Sequence, residues 1–115
     1  MVKSPTIYID HILLEIAVLQ SIPPRYSFQQ FKSDPLIFRG AIYAVQVISE
    51  ASRHLPTELT ELYPHMRWRE IRAVGNVTRH EYANLQPALI WEMVAIHAPI
   101  LHDVMIDMQK RTQAQ

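Results

Sequence analysis

The sequence predicts an all-α protein, a single domain over residues 1–115 folded as an up-and-down bundle of four to five helices. Three observations predict it. There are only two glycines, and no Asn-Gly or Asp-Gly pair separates alternating apolar runs, so hairpin signals are missing. Apolar residues recur every three or four positions through the long segments, which is the repeat of one helix face. The prolines fall mostly where those segments start or stop. With 49% hydrophobic residues, a chain of this length has room for one compact core.

The first helix is expected from about Ser4 to Gln20, with Pro5 in its first turn and Ile9, Ile12, Leu13, Ile16 and Leu19 on one face. Pro23 and Pro24 stop it, because they lack amide donors and restrict the residues before them. A connector from Tyr26 to Lys32 follows, its Phe28 and Phe31 read as core plugs. Asp34 and Pro35 make an N-cap and first-position pair for a second helix reaching about His54. One stripe of that helix holds Ile37, Ala41, Ala44, Ile48, Ala51 and Leu55; Leu36, Tyr43 and Val47 start another beside it. This apolar surface is wider than one partner helix needs, which points to a subunit interface as well as a core.

Pro56 and Thr57 open a short helical turn through Leu62, and Pro64 closes it. The next helix is placed from about Met66 to Tyr82, with Trp68, Ile71 and Val74 turned inward. Asn84 to Gln86 break the chain again. Pro87 then suits the first turn of a last helix reaching about Lys110, with a kink expected at Pro99, where a backbone hydrogen bond is lost.

Composition narrows the function. Lys plus Arg and Asp plus Glu balance at eleven each, so no global basic field announces a nucleic-acid partner. The absence of cysteine excludes disulfides and thiolate metal sites. The N-terminal stretch carries Lys3 but is interrupted by Asp10, His11 and Glu15, which fits neither a signal peptide nor a membrane span. The apolar run from Ala88 to Ile106 is broken by Glu92, His97, His102 and Asp103 and reads as a buried or interfacial helix. A cytoplasmic protein with no membrane partner is expected.

The chemistry concentrates in WREIRAVGNVTRHEY, Trp68 to Tyr82. Asn76 and His80 are four residues apart on one helix face, and Arg72 extends that stripe by a turn. Arg67 just before this segment and Arg69, Arg72 and Arg79 within it crowd basic charge here. An imidazole passes protons near neutral pH, and guanidinium groups hold phosphate through paired charged hydrogen bonds. Such a face can cleave a phosphodiester; it can equally be a solvated polar face carrying one histidine.

Several stretches, in order, resemble the HepT-like proteins of the HEPN ribonuclease superfamily. They are Tyr8 to Ile12, Phe31 to Asp34, Ile48-Ser49-Glu50-Ala51 where the family has Ile-Gly-Glu-Ala, and Pro64 with Trp68 and Ile71. Gly75, Asn76, His80 and Tyr82 align with the family's Arg-Asn-x-x-x-His-x-Tyr signature, and Trp91-Glu92 follows downstream. The resemblance covers nearly the whole chain. It implies a HEPN-like bundle and a metal-independent endoribonuclease toxin, without cofactor, whose site lies in the cleft of a homodimer. His80 would be the general acid-base, with Asn76 orienting it or the RNA phosphate. The partner implied is a nucleotidyltransferase antitoxin that adds AMP to the motif tyrosine, here Tyr82.

One departure stands out: Gly75 occupies the place of the family's arginine. Removing a donor aimed at transition-state charge typically costs about 10² to 10³ in rate. Three outcomes stay open. Arg79, one turn later, could lean back over the patch that Gly75 leaves empty, since helical side chains tilt toward the N-terminus. Arg72 could serve instead. Otherwise the chain is a degenerate module that keeps only dimerisation and partner docking.

The other histidines, His11, His54, His65, His97 and His102, show no metal-ligand spacing, so no metal is expected. Met93, Met105 and Met108 read as packing residues, and Tyr43 and Trp91 as core or interface aromatics. There is no Gly-rich phosphate loop and no Gly-x-Ser-x-Gly elbow.

Overall fold

The structure is a computed structural model that describes residues 4–114, with the backbone but not the side chain of Tyr82. Among the described residues there are helices and turns and no strand. Helix α1 spans Pro5–Gln20; the Ser4 hydroxyl caps it by accepting from the Thr6 amide, and Pro5 occupies its first turn. Ile9, Ile12, Ile16 and Leu19 are buried along one face, at spacings of three and four. Each full burial of such a side chain contributes about 1.5 to 3 kcal/mol.

The connector after the double proline is itself helical. Helix α2, Phe28–Ser33, starts at a capping box in which Ser27 and Gln30 exchange hydrogen bonds of 2.9 and 3.2 Å. Its short length hides any periodicity, but it aims Phe31 into the core, fully buried against Phe38 and Trp91 at ring distances of 5.6 and 5.3 Å. Phe28 also meets Trp91. Trp91 is therefore part of an aromatic plug at this end of the bundle.

Helix α3, Pro35–Ser52, is capped by the Asp34 carboxylate, which accepts from the amides of Leu36 and Ile37. It packs against α1 on one side and against α5, Trp68–His80, on the other. Between them, α4 is a single turn, Thr57–Thr60, whose last carbonyl accepts the Trp68 indole N–H at 3.1 Å. Leu36 and Tyr43 remain 77% and 65% exposed, so these two residues of the second stripe of α3 are left uncovered among the described residues, while Val47 is half-buried.

After a 3-10 turn, Tyr82–Asn84, one continuous helix runs from Pro87 to Gln113. It comprises α6 (Pro87–Glu92), a π-helical turn (Met93–His97) and α7 (Ala98–Gln113). Sequence predicts a kink at Pro99; the chain instead widens in the turn just before it. Proline has no amide for the Ala95 carbonyl, and its ring crowds that oxygen, which the wider turn accommodates. By length and composition alone this helix is apolar enough to cross a membrane. Its inner residues Ile90, Val94, Ala98, Leu101, Met105 and Met108 are buried in the core, and α7 packs on α1.

The four long helices thus follow the order α5, α3, α1, α7 across the bundle. Placing α5 at the edge leaves its face away from α3 without a covering helix among the described residues.

Candidate active site

On α5 the inward residues are Trp68, Gly75 and Thr78, with Ile71 and Val74 half-buried beside them. Asn76, Arg79 and His80 are exposed, and Arg72 is half-buried. The helix therefore separates a packed face from a polar one, as the four-residue spacing of Asn76 and His80 requires. His80 is the last helical residue, at an open end of the bundle. Tyr82 opens the 3-10 turn that follows; its side chain, whose hydroxyl the implied AMP transfer would need at solvent, lies outside the described residues.

Gly75 shows why this face differs from the simple motif. Its amide donates to Ser49 Oγ on α3 at 3.0 Å, and the same hydroxyl donates to the Arg72 carbonyl at 3.0 Å. A Cβ built on Gly75 would stand 2.6 Å from Ser49 Oγ. A side chain at 75 would force Ser49 or its helix to shift.

The guanidinium groups take different positions. Arg79 Nη1 lies 3.7 Å from where the Gly75 Cβ would be, and its Nη2 donates to Asn76 Oδ1. The Arg72 Nε is buried and has no hydrogen-bond partner among the described residues. Its carbonyl is held twice, by Ser49 and by Arg53 Nη2 at 3.1 Å. Structure thus brings Arg79, Asn76 and the bare Gly75 patch together, with His80 next along the chain. Neither Ser49 nor Arg53 stood out in the sequence as part of this region; the signal was a small residue on each of two helices, 26 positions apart.

Two hollows lie elsewhere. One, of about 180 Å³, sits between α1 and α3 and is lined by Tyr8, His11, Val47, Glu50, Ala51 and His54. There Tyr8 stacks on His54 at 4.6 Å, and Glu50 lies 3.5 Å from the His54 imidazole. The other is a wide depression around Arg25, Tyr26 and Asp34. His97 and His102 lie beside Glu92 and Asp103 at 3.6 and 3.2 Å. No group of three potential metal ligands comes together among the described residues.

The model of the family described as Ribonuclease HepT-like matches residues 12–108, most of the chain and all of α5. The chain belongs to the HepT-like family. Among similar proteins, "Putative RNase TTE0752" of Caldanaerobacter subterraneus subsp. tengcongensis is 32% identical over 99 residues, covering 86% of this chain and 88% of the relative. "Probable ribonuclease HepT" of Thermococcus cleftensis is 26% identical, covering 88% and 92%. The "Gamma-glutamylcyclotransferase and putative RNase MJ0434" of Methanocaldococcus jannaschii is 27% identical, but the match spans 90% of this chain and only 46% of that longer protein. No solved structure matches the chain. The HepT-like membership and the names of these relatives support a ribonuclease-type function, and the helical bundle agrees with it.

Proposed function

We propose that this chain is a metal-independent endoribonuclease, the toxin of a toxin–antitoxin pair, acting as a homodimer and silenced by a nucleotidyltransferase that adds AMP to Tyr82. One observation carries the reading: α5 presents Asn76, Arg79 and His80 together on an uncovered face of a HepT-like bundle. In the reaction the 2′-oxygen of the RNA attacks the neighbouring phosphorus and the bond to the 5′-oxygen breaks. One proton leaves the 2′-hydroxyl and one reaches the departing oxygen. A neutral and a protonated imidazole, His80 from each of two chains, supply base and acid. The open face suits a polymer whose phosphate must be reached from solvent.

The homodimer is supported by the exposed Leu36 and Tyr43 on α3, and two chains would bring two His80 imidazoles to one phosphate. An AMP group on Tyr82, two residues from His80, would block the face by charge and volume.

A second reading has its own observation. Gly75 is buried under Ser49, so the position that holds arginine in the resembling motif carries no guanidinium, and a binding module without catalysis is the alternative. The two separate by incubating the purified protein with structured and unstructured RNA in EDTA. Cleavage that drops about 10² to 10⁴-fold in His80→Ala supports the enzyme. No cleavage at any protein concentration, with nucleotidyltransferase binding intact, supports the module.

A further inference from the structure

Position 75 is held bare by more than the absence of a side chain. The Ser49 hydroxyl is engaged at both ends, accepting from the Gly75 amide and donating to the Arg72 carbonyl, so it has no reason to turn away. Deleting only that hydroxyl would not open the place either, because Ser49 Cβ lies 3.0 Å from a Cβ built on Gly75. That carbon is fixed to the backbone of α3. Glycine at 49 removes both close contacts at 75.

The space beside position 75 belongs to Ser49, and Arg79 reaches its edge from one turn later, leaning toward the helix N-terminus as helical side chains do. A hydrogen bond to Asn76 Oδ1 holds it there, with Nη1 3.7 Å from where a Cβ on Gly75 would stand. A guanidinium has five donors in a fixed fork, so this arrangement orients the group and leaves donors for a ligand oxygen. Arg79 remains exposed, whereas Arg72 has its Nε buried.

We propose that Arg79 is the phosphate-anchoring residue of this face, and that Ser49 is the positioning residue that sets it there by keeping position 75 bare. The ligand is a phosphodiester of single-stranded RNA, the substrate class of the proposed nuclease, on which this inference rests. The consequence is an exchange rule. A guanidinium at 79 goes with serine at 49 and glycine at 75; moving it to 75 requires glycine at 49.

The test reads binding, so it does not depend on turnover. A fluorescent 2′-O-methyl oligoribonucleotide, which lacks the attacking hydroxyl, is titrated at several KCl concentrations. Arg79→Ala is expected to weaken binding about tenfold or more and to flatten the plot of log affinity against log salt by about 0.7, one phosphate contact on a single strand. Arg79→Lys keeps the slope but loses part of the affinity, because a point charge replaces a fork. Ser49→Gly/Gly75→Arg/Arg79→Ala regains the slope. Gly75→Arg/Arg79→Ala, with Ser49 left in place, melts at lower temperature and does not regain it.

Arg79→Ala binding within twofold of wild type, at unchanged slope, overturns the anchor. Recovery of slope and wild-type melting without Ser49→Gly overturns the role of Ser49, as does a folded triple variant with no recovery. If the triple variant does not fold, the melting temperature of Gly75→Ala decides: Ser49→Gly must restore what it loses, and failure to do so also overturns that role. Wild-type protein that binds this probe but never cuts unmodified RNA sinks the nuclease reading, while the slopes still decide Arg79. No salt-dependent binding by wild type overturns both.

Discussion

The Ser49 hydroxyl lies 3.0 Å from the Gly75 amide, joining α3 to α5 at a point where a carbon added to Gly75 would meet the Ser49 side chain. The two glycines of the chain should therefore respond oppositely to alanine. Gly40 is exposed within α3, and a Cβ there would meet nothing within 4 Å. Helix propensity alone then favours Gly40→Ala by about 0.5 to 1 kcal/mol. At Gly75 the same gain opposes an overpacking cost of about 1 to 3 kcal/mol, so a net loss is expected. Urea unfolding of the two variants checks both signs, and a stabilised Gly75→Ala would contradict the close approach of α3 and α5.

A second prediction concerns assembly. Leu36 and Tyr43 are seven residues apart on the exposed stripe of α3, with Gly40 between them. In a homodimer built on that stripe, Leu36→Lys/Tyr43→Lys should dissociate the pair, since two unpaired cations per chain would face their copies. The fold of each chain should survive, both positions being solvent-facing within it. Light scattering at micromolar concentration is expected to give a dimer mass for wild type and a monomer mass for the variant. An unchanged dimer would place the interface elsewhere; a monomeric wild type would sink the homodimer.

The long-range tie at the far end of the bundle gives a pH prediction. Buried Tyr63, in the loop after α4, donates to Asp107 Oδ2 at 2.6 Å, and Arg111 Nε donates to that carboxylate at 2.9 Å and to the Tyr63 oxygen at 3.1 Å. Hydrogen bonds from Tyr63 and then Arg111 hold the Asp107 carboxyl below its ordinary range, while burial first, and the Asp107 bond next, push the Tyr63 hydroxyl up. A depressed carboxylate stabilises the fold above its unfolded pKa of about 4, and this is lost as pH falls through the lower folded value. A raised phenol stabilises below about 10, and this is lost as pH rises through its folded value. Stability measured against pH should fall at both limits, and Tyr63→Phe should flatten both limbs. An acid limb unchanged in Tyr63→Phe and in Asp107→Asn would mean that the tie contributes nothing.

Much of this fold is written locally. Ser4-Pro5 and Asp34-Pro35 mark helix starts because the capping oxygen and the proline act on amides within three residues. The Ser27-Gln30 box is equally local, yet α2 reads as a connector because six residues show no repeat. Trp68 opens α5 two residues later than its apolar pattern suggests, and Arg67 before it is not helical. The polar face of α5 follows from spacing alone. What cannot be read locally is contact between distant segments: Tyr63 with Asp107 across 44 residues, or Ser49 with Gly75 across 26. The place of Arg79 belongs to this second kind, since a lean toward Gly75 is legible but the carbon that keeps Gly75 bare belongs to another helix.

The last prediction tests the proposed regulation. Tyr82 opens the 3-10 turn one residue after α5, with its chain neighbours Glu81 and Ala83 both exposed, so its backbone is outside the long helices. A transferase carrying a nucleotide needs an approachable hydroxyl, and loops at the surface are where such sites concentrate. Co-expression with a neighbouring nucleotidyltransferase should add AMP units to the intact mass of the chain, and Tyr82→Phe should abolish the addition. Because the added phosphate is anionic and two residues from His80, the modified protein should also lose RNA binding, most strongly at low salt. An unmodified chain beside a transferase shown to be active on another substrate would remove Tyr82 from the regulatory scheme. Modification that persists in Tyr82→Phe would move the target to another hydroxyl and leave the cleavage proposal standing on His80 and Asn76.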